Sequence, residues 1–394
     1  MQLWRKIMMR FHGEVLDFVD VEKFVGRVFS ETQHAKRVVS IARATLGVIS
    51  SASLIVNRIG RGLAKTLNLS DKHAVKQVDR LLSNKKLQLE ETDKSMVQLI
   101  VGNRKEIKVT MDWTDFDTNS QTTIFLNMIT SHGRATPLLW KTHDKNKLKD
   151  SRNDYKDEIL LRLKNALPPD VKVTILADRG FFDIKLFRFL EEELGFEYFI
   201  RVRNNVLITD EAGMTQSAAE WVPQNGRTKV LRDVTITADD YPIELIAIKH
   251  QKGMKAPWCI VGSDKDVSGS EQISWYAKRW GCESFFRDSK DLHFGMGLDA
   301  TRVSNPEKRD RIFLIGALAT ILLTFLGSAS EKIGLDKYLK VNTSKKRTVS
   351  LLRQGLIIFN RLEKMAKETA EKLMMAYSEL ILENQAATTI LGVV

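Results

Sequence analysis

Cysteine is scarce in this chain of 394 residues, which contains only Cys259 and Cys282. The two do not form a CxxC pair, and no histidine cluster accompanies them at the spacing of zinc ligands. A disulfide framework and a structural zinc site are therefore not indicated. The segment before Val15 also lacks a continuous apolar core and a small-residue cleavage site of the secretory kind. We expect a protein that stays in a reducing cytosol.

Long apolar runs are nearly absent, with one exception. Residues 312–330, IFLIGALATILLTFLGSAS, carry no charge and are about long enough to span a bilayer. Basic residues lie on both sides of this run, so it lacks the charge asymmetry that orients a membrane span. A helix buried against a sheet is also apolar on every side. We interpret the run as such a core helix.

Negative charge is in deficit, because 49 Asp and Glu residues face 61 Lys and Arg residues and leave a formal net charge of +12. Each Lys or Arg beside a phosphate releases condensed counterions, so the surplus favours a polyanionic partner. Nucleic acid is the first candidate, and an anionic membrane surface is the second. The hydrophobic share of 43% allows a sizeable core, and the length predicts two or three structural units.

Residues 1–100 alternate helical patterns with short polar breaks. Apolar residues recur at helical spacing on both sides of residues 68–70, which predicts a helix-turn-helix within residues 51–86. The basic residues of this segment are Arg58, Arg61, Lys65, Lys72, Lys76, Arg80, Lys85 and Lys86. We predict a DNA-end-binding region whose second helix enters a groove, with contacts from Arg61, Lys72, Lys76 and Arg80. The alternative is a solvated basic face on an ordinary helical bundle.

Strand patterns begin at Glu106. Three β-rich runs, EIKVTMDW, TTIFLNMIT and ATPLLWK, predict an antiparallel meander, after which helices and strands alternate. This order is that of a mixed five-stranded α/β sheet of the ribonuclease H type, in which the first strand lies beside the fourth. We assign this core to residues 101–204 and 264–330, and a separate β-rich insertion to residues 205–263. A helical C-terminal region, residues 331–394, packs on the body or pairs with a second copy.

Two aspartates follow strand patterns in this predicted core. Asp112 lies near the end of the first strand, and Asp178 at the carboxyl end of the fourth. Open sheets place their sites at such carboxyl ends, so the two carboxylates are expected within a few ångström of each other. Asp115 and Asp117 follow closely, but Asp112 ends the strand pattern and is the preferred candidate.

Residues 273–291, ISWYAKRWGCESFFRDSKD, read as one helix that combines cations, aromatics and Glu283. At about 100° per residue, one side of it, within about 60°, carries Tyr276, Arg279, Glu283 and Lys290. Trp280 and Arg287 fall on the same side. Cys282 points about 100° away from Glu283 and is assigned no chemistry. Docked across the two aspartate-bearing strands, the helix would present Glu283 to both carboxylates and flank it with groups suited to phosphates and unstacked bases.

Three converging carboxylates repel one another unless a cation neutralises them, and hard oxygen ligands select magnesium or manganese. We therefore predict a metal site formed by Asp112, Asp178 and Glu283, with Mg²⁺ as the ion and Mn²⁺ as its substitute. Two ions about 3.5 to 4 Å apart would activate the attacking oxygen and stabilise the leaving oxygen of a phosphodiester displacement. These three residues are the predicted catalytic residues.

A signature called YREK has the same spacing as four residues of this helix, Tyr276, Arg279, Glu283 and Lys290. Together with Asp112 after a strand and DRGF at Asp178, it makes residues 106–330 resemble DDE transposases of bacterial insertion sequences of the IS-four family. The resemblance implies a cut-and-paste transposase with a ribonuclease H-like core and a β-rich insertion. Its members cut the ends of their element through a DNA hairpin and join the excised element to a target.

The same resemblance implies that Tyr276, Arg279 and Lys290 hold phosphates near the element's end. Trp280 and Trp258 occupy places where related transposases use aromatics to grip a flipped base. Stacking on an indole offsets much of the cost of extruding a base. The alternative for each is an ordinary core tryptophan.

The sequence thus predicts a magnesium-dependent DNA transposase in the bacterial cytoplasm, associated with the nucleoid. It would act as a homodimer that holds two terminal inverted repeats in a synaptic complex; dimerisation rests on the resemblance alone. Two alternatives stay open. One is a metal-dependent nuclease of the same fold that only hydrolyses DNA. The other is a catalytically silent DNA-binding regulator, against which the intact Asp112, Asp178 and Glu283 argue.

Overall fold

The computed structural model describes residues 16–148, 151–293, 295–345, 347–382 and 389–392. Its N-terminal helices are α1 (Phe18–Phe29), α2 (Ala35–Ser51), α3 (Val56–Leu67), α4 (Asp71–Leu82) and α5 (Asp93–Val101). The later helices are α6 (Arg152–Ala166), α7 (Ile184–Arg188, continued by a π-helical turn, Phe189–Leu194), α8 (Gly269–Lys278), α9 (Gly281–Lys290), α10 (Pro306–Lys332), α11 (Leu351–Phe359) and α12 (Lys367–Leu382).

The strands that the structure describes form a single mixed sheet. They are β1 (Glu106–Phe116), β2 (Gln121–Met128), β3 (Thr136–Asp144), β4 (Lys172–Ala177), β5 (Glu197–Arg201), β6 (Leu207–Thr209), β7 (Thr215–Ser217), β8 (Lys229–Ile236), β9 (Tyr241–Lys249) and β10 (Trp258–Gly262). Their order is β3-β2-β1-β4-β5-β10-β9-β8-β6-β7. The predicted meander of β1, β2 and β3 is confirmed, and β1 pairs in parallel with β4 as expected.

The strands of the β-rich insertion continue the core sheet, which was predicted with five strands. β10, the last strand of the insertion, pairs antiparallel with β5, and β9 then pairs with β10. The sheet therefore has ten strands rather than five. In a five-stranded sheet, β5 would be an edge strand with a row of free N–H and C=O groups. Pairing with β10 satisfies these groups, which explains why the sheet continues.

Helix α10 runs through the core. It is long and apolar enough to cross a membrane, with a mean hydropathy of 2.2 in its apolar window, but 89% of that window is buried inside the protein. The interpretation as a core helix is confirmed. Phe313 on this helix packs edge-on against Phe125 of β2, with ring centroids 4.8 Å apart, and Phe285 of α9 approaches the same ring at 5.6 Å. The helix thereby anchors the meander.

The N-terminal end of α10 ties the helical region to the sheet through buried polar groups. Arg311 donates to the carbonyl oxygen of Leu82, the last residue of helix α4, and to that of Leu87, which follows it. On the sheet side, the buried Asp310 accepts a hydrogen bond from the Thr142 N–H at 2.9 Å. Buried polar groups cost free energy unless they are paired, so these contacts fix the position of the N-terminal helices relative to the sheet.

The predicted helix-turn-helix is present as α3 and α4. Helix α2 meets α3 at 96°, and glycines let the two backbones touch. A Cβ on Gly47 would lie 2.6 Å from the Ile59 carbonyl oxygen, and one on Gly62 would lie 2.6 Å from the Gly47 carbonyl oxygen. The buried side chains Ala74 and Val78 hold α4 on this platform, which leaves its opposite side in solvent.

The predicted C-terminal helices are present as α11 and α12, and they pack on the body. Helix α11 crosses α10 at two glycines. A Cβ on Gly327 would lie 2.1 Å from the Leu351 carbonyl oxygen, and one on Gly355 would lie 1.9 Å from the Leu323 carbonyl oxygen. Tyr377 of α12 is fully buried. Close backbone approach thus replaces side-chain packing at this crossing.

We expect Gly327→Ala to lower the free energy of unfolding by about 1–3 kcal/mol, because its methyl group has no room between α10 and α11. Gly26→Ala is the matched control. Gly26 lies inside helix α1, and a Cβ there would meet only Val38 Cγ1 at 4.0 Å. This control should be neutral or stabilising by up to about 1 kcal/mol, since alanine favours a helix over glycine. Denaturant unfolding followed by circular dichroism measures both; equal stabilities would refute the tight crossing.

Candidate active site

The first two predicted carboxylates sit at equivalent positions of neighbouring strands. In the parallel pair of β1 and β4, Met111 lies opposite Ala177, and the next residues are Asp112 and Asp178. Neighbouring strands are about 4.8 Å apart, so this register places Asp112 and Asp178 side by side at the carboxyl end of β4. Asp178 ends its strand and its Oδ1 accepts a hydrogen bond from the Gly180 N–H at 2.8 Å.

Strand β1 does not end near Asp112 but continues to Phe116, which corrects the predicted boundary. The extension forms because β1 stays paired with β2 as far as Phe116 and Gln121. Asp115, further along the strand, binds Lys145 Nζ at 3.0 Å, and Asp117 binds the same ammonium group at 2.5 Å. Both rivals of Asp112 are thus engaged by Lys145 of the loop after β3.

The predicted single helix of residues 273–291 is two helices, α8 and α9, separated at Arg279 and Trp280. The Arg279 N–H donates to the Tyr276 carbonyl oxygen at 3.0 Å, which is the short spacing of a tight turn rather than of an α-helix. Gly281 follows, and its carbonyl oxygen accepts a hydrogen bond from the Ala135 N–H of the β2–β3 turn at 3.1 Å. This tertiary contact accompanies the change of direction.

Cys282 contacts the site, although the sequence analysis assigned it no chemistry. Its Sγ lies 3.4 Å from Asp112 Oδ2, and the residue is fully buried. Cys282 and Glu283 are neighbours in α9, so the predicted angle of about 100° between them still applies, but such an angle does not keep Cys282 away from Asp112 on the sheet. Burial, and then the adjacent Asp112, raise the pKa of the Cys282 thiol. Cys282 is therefore a neutral donor beside Asp112. The periodicity of the sequence contains no signal for this contact.

Arg279 joins two of the predicted catalytic carboxylates. Its Nη1 donates to Asp112 Oδ2 at 3.0 Å, and its Nη2 donates to Glu283 Oε1 at 3.4 Å. The Arg279 side chain is 7% exposed, whereas Asp112 is 18% and Glu283 is 45% exposed. Glu283 is therefore linked to Asp112 through Arg279 and still reaches solvent.

The electrostatics agree with a shared site. Burial raises the pKa of Asp112, and among the neighbouring charges Arg279 lowers this pKa while Asp178 raises it. Burial likewise raises the pKa of Glu283, which Arg279 opposes and which Asp112 and Asp178 increase. The charge of Asp178 thus acts on both other carboxylates. Three acids and one guanidinium form one electrostatic unit.

The donor chemistry suits a hard divalent cation, since three carboxylates supply only oxygen ligands. The distances do not. In the part of the chain that the structure describes, no three side chains of His, Cys, Asp or Glu stand close enough to hold one metal ion. Arg279 lies between Asp112 and Glu283 and takes one oxygen of each. In this arrangement a guanidinium occupies the position where the chemistry of the ligands calls for a metal.

Aromatic rings surround the aliphatic and guanidinium parts of Arg279. The guanidinium carbon is 5.7 Å from the centre of the Tyr276 ring and 5.5 Å from that of Trp280. Tyr276 is only 2% exposed and packs edge-on against Trp258, with centroids 5.2 Å apart. Trp280 is 51% exposed. Tyr276 is therefore a buried support, Trp258 is partly buried, and Trp280 offers its ring to solvent.

The remaining predicted residues of α9 lie at its C-terminal end. Lys290 Nζ donates to Thr114 Oγ1 at 3.3 Å and to the Asp115 carbonyl oxygen at 2.5 Å, so it binds the end of β1. Its ammonium group is also 3.8 Å from Asp299. Arg287 is exposed to solvent. Neither cation reaches Asp112 or Glu283.

The predicted DNA-binding cations of the helix-turn-helix are exposed. They are Arg61, Lys72, Lys76 and Arg80. Lys72, Lys76 and Arg80 follow one another at intervals of four along α4, which places them on one face of that helix. Arg61 lies 3.6 Å from Asp71, and both side chains are 68% exposed, so this pair contributes little to stability. The face is open to a polyanion.

Comparison with known families identifies the catalytic part of the chain. A family model described as a transposase DDE domain matches residues 107–322, more than half of the chain. The match runs from β1 into α10 and includes Asp112, Asp178 and Glu283. No curated protein matches the chain in sequence. The chain therefore belongs to the DDE transposase family, whose domain cleaves and joins DNA and is associated with divalent metal ions.

Proposed function

We propose that this protein is a cut-and-paste transposase of the IS-four family of insertion sequences. It cleaves the ends of its element through a DNA hairpin and joins them to target DNA. Its core is ribonuclease H-like, which the order β3-β2-β1-β4-β5 supports. The YREK spacing of Tyr276, Arg279, Glu283 and Lys290 supports the narrower family assignment.

One observation carries the proposal: Asp112 and Glu283, far apart in the chain, bind the same guanidinium beside Asp178. Bringing like charges together costs stability, and the single positive charge of Arg279 faces three carboxylates in this proposal. Active sites are where such perturbed carboxylates collect. Asp112, Asp178 and Glu283 are the catalytic residues in this proposal.

With Arg279 displaced from Asp112 and Glu283, the three carboxylates would hold divalent ions, Mg²⁺ or Mn²⁺, two per site; such ions would supply activation of the attacking oxygen and stabilisation of the leaving oxygen. The chain's own cations bind the DNA phosphates. Lys290 already lies at the end of β1, and Arg279 has the planar fork that suits a phosphate. Tyr276 supports Arg279 from the buried side. Arg287, exposed one turn after Glu283, extends the cationic surface.

Hairpin formation needs a base to leave the stack. Trp280 is the stronger candidate to receive it, because half of its surface is exposed beside Arg279. A base that stacks on an aromatic ring gains about 1–3 kcal/mol, comparable with the few kcal/mol that extrusion costs. Trp258, the second candidate, packs edge-on against Tyr276, whose ring lies beside Arg279.

The N-terminal region, residues 1–100, would recognise the terminal inverted repeats, with α4 in a groove. The C-terminal region, residues 331–394, would help two protomers form the synaptic complex. Because the substrate is DNA, we infer that the protein acts in the bacterial cytoplasm with the nucleoid. The insertion, residues 205–263, contributes Trp258 to the site while its strands extend the core sheet.

We expect Glu283→Gln to abolish end cleavage while DNA binding remains. The loss of cleavage activity should exceed the roughly 100-fold loss that follows when a hydrogen-bond partner of a metal ligand is removed, because Glu283 would itself be a ligand. The assay incubates the purified full chain and Mg²⁺ with a duplex that carries the inverted repeats flanking the gene. Hairpin-ended products from the wild type and bound, uncut DNA from the variant are the expected results.

Glu211→Gln is the control, because Glu211 is exposed in a turn of the insertion. It should cut like the wild type. Equal cutting by wild type and Glu283→Gln would remove Glu283 from the site. Wild-type cutting without hairpins or joining would favour a hydrolytic nuclease, and wild-type binding without cutting would favour a silent regulator.

We expect each substitution Lys72→Gln, Lys76→Gln or Arg80→Gln to weaken binding to the element end and to reduce the slope of log K against log salt by about 1, since each removes one phosphate contact. In the variant with all three substitutions, the magnitude of this slope should fall by about 3. Fluorescence anisotropy over a salt series measures the slope. Lys94→Gln on α5, also exposed, should leave it unchanged. An unaltered slope in the triple variant would exclude this face of α4 as the DNA-binding surface.

A further inference from the structure

Arg279 occupies an unusual position for a residue whose expected partner is DNA. Its guanidinium is turned inward, 7% exposed, and bound to Asp112 and Glu283. Its Nε is buried and has no hydrogen-bond partner among the described residues. A fully satisfied structural arginine would use all three nitrogen positions. The two carboxylates accept its shortest bonds, and Nη1 makes a longer contact with Cys282 Sγ at 3.9 Å.

The guanidinium and a divalent ion compete for the same ligands. Arg279 uses Asp112 Oδ2 and Glu283 Oε1, which are oxygens of two of the three proposed metal-binding groups. A planar cation of this size and a metal ion cannot both sit between these oxygens. Binding of the ion therefore requires Arg279 to leave, and the ion's apparent affinity falls by the fraction of molecules in which Arg279 has left.

The surroundings of Arg279 offer it a second position. It lies at the break between α8 and α9, next to the exposed Trp280 and the exposed Lys278. An arginine binds a phosphate through two parallel hydrogen bonds at least as well as it binds a carboxylate. A DNA strand stacked at Trp280 would bring a phosphate to this surface.

We propose that Arg279 is an exchangeable internal counter-ion, which neutralises Asp112 and Glu283 in the DNA-free protein and moves to a DNA phosphate when the element end binds. This inference rests on the proposed function and adds its regulation. Because metal and DNA both select the arrangement in which Arg279 has left the carboxylates, each increases the affinity of the other. The protein thereby acquires its metal ions when the element end is in place, which limits cleavage of DNA that is not correctly bound.

The test measures Mn²⁺ binding directly, by the electron paramagnetic resonance signal of the free ion, with the DNA-free full chain. Arg279→Gln should bind Mn²⁺ about tenfold more tightly than the wild type, within the usual range of coupling between sites. Adding the inverted-repeat duplex should tighten Mn²⁺ binding to the wild type by a similar factor and leave Arg279→Gln unchanged. Arg227→Gln, which removes the same charge from an exposed bend of the insertion, should behave like the wild type.

An Arg279→Gln variant that keeps its native circular dichroism spectrum and binds Mn²⁺ no more tightly than the wild type would overturn the proposal. If this variant does not fold, Arg279→Lys decides instead. The compact ammonium group of lysine cannot bind both carboxylates at once. We therefore expect Arg279→Lys to bind Mn²⁺ more tightly than the wild type, by less than the tenfold expected for Arg279→Gln. A Mn²⁺ affinity equal to that of the wild type would contradict the exchange.

Glu283→Gln separates the two proposals. It should bind Mn²⁺ more weakly than the wild type, because a ligand is lost. If it binds Mn²⁺ as the wild type does, the proposed catalytic site itself fails. If Glu283→Gln loses the ion but Arg279→Gln gains no affinity, the catalytic site stands and only the counter-ion exchange fails.

Discussion

The mutual repulsion of acidic side chains is the constraint on which this structure depends. Strands β1 and β4 bring Asp112 and Asp178 to adjacent positions, and α9 adds Glu283. Burial and mutual repulsion raise the pKa values of Asp112 and Glu283, so a positive charge has to stand nearby. Arg279 supplies it from the turn between α8 and α9. The break in the helix is therefore part of the site's electrostatics.

The scaffold connects this charge cluster to the helix pair α3–α4, the proposed DNA-binding region. Helix α10 packs beneath the meander through Phe313 and binds the end of α4 through Arg311. A second link joins the start of α3 to the loop after α9, where the Leu54 N–H donates to the Met296 carbonyl oxygen at 2.8 Å. The helix pair α3–α4 and helix α9 are thus both connected to α10 and the sheet.

The extension of the sheet has a functional consequence. Because β10 pairs with β5, Trp258 at the start of β10 is held against Tyr276 of α8. The Tyr276 ring in turn lies beside the Arg279 guanidinium. The hydrogen bonds of the sheet fix the position of the insertion relative to β1 and β4, and so fix the contact between Trp258 and Tyr276. An insertion joined only by a flexible connection would not fix this contact.

The sequence by itself determined the local elements and their chemistry. Alternating and continuous apolar patterns predicted the meander, the buried α10 and the helix pair, because periodicity reports which faces are buried. It also predicted Asp112, Asp178 and Glu283 as the site; the closeness of the two aspartates follows from strand order, whereas Glu283 comes from helix α9. Only the tertiary structure decided that Arg279 binds two of these carboxylates, that Cys282 faces Asp112, and that the insertion continues the sheet. Those contacts depend on a turn, a strand edge and the Ala135 N–H, which lie far apart in the chain and leave no periodic pattern.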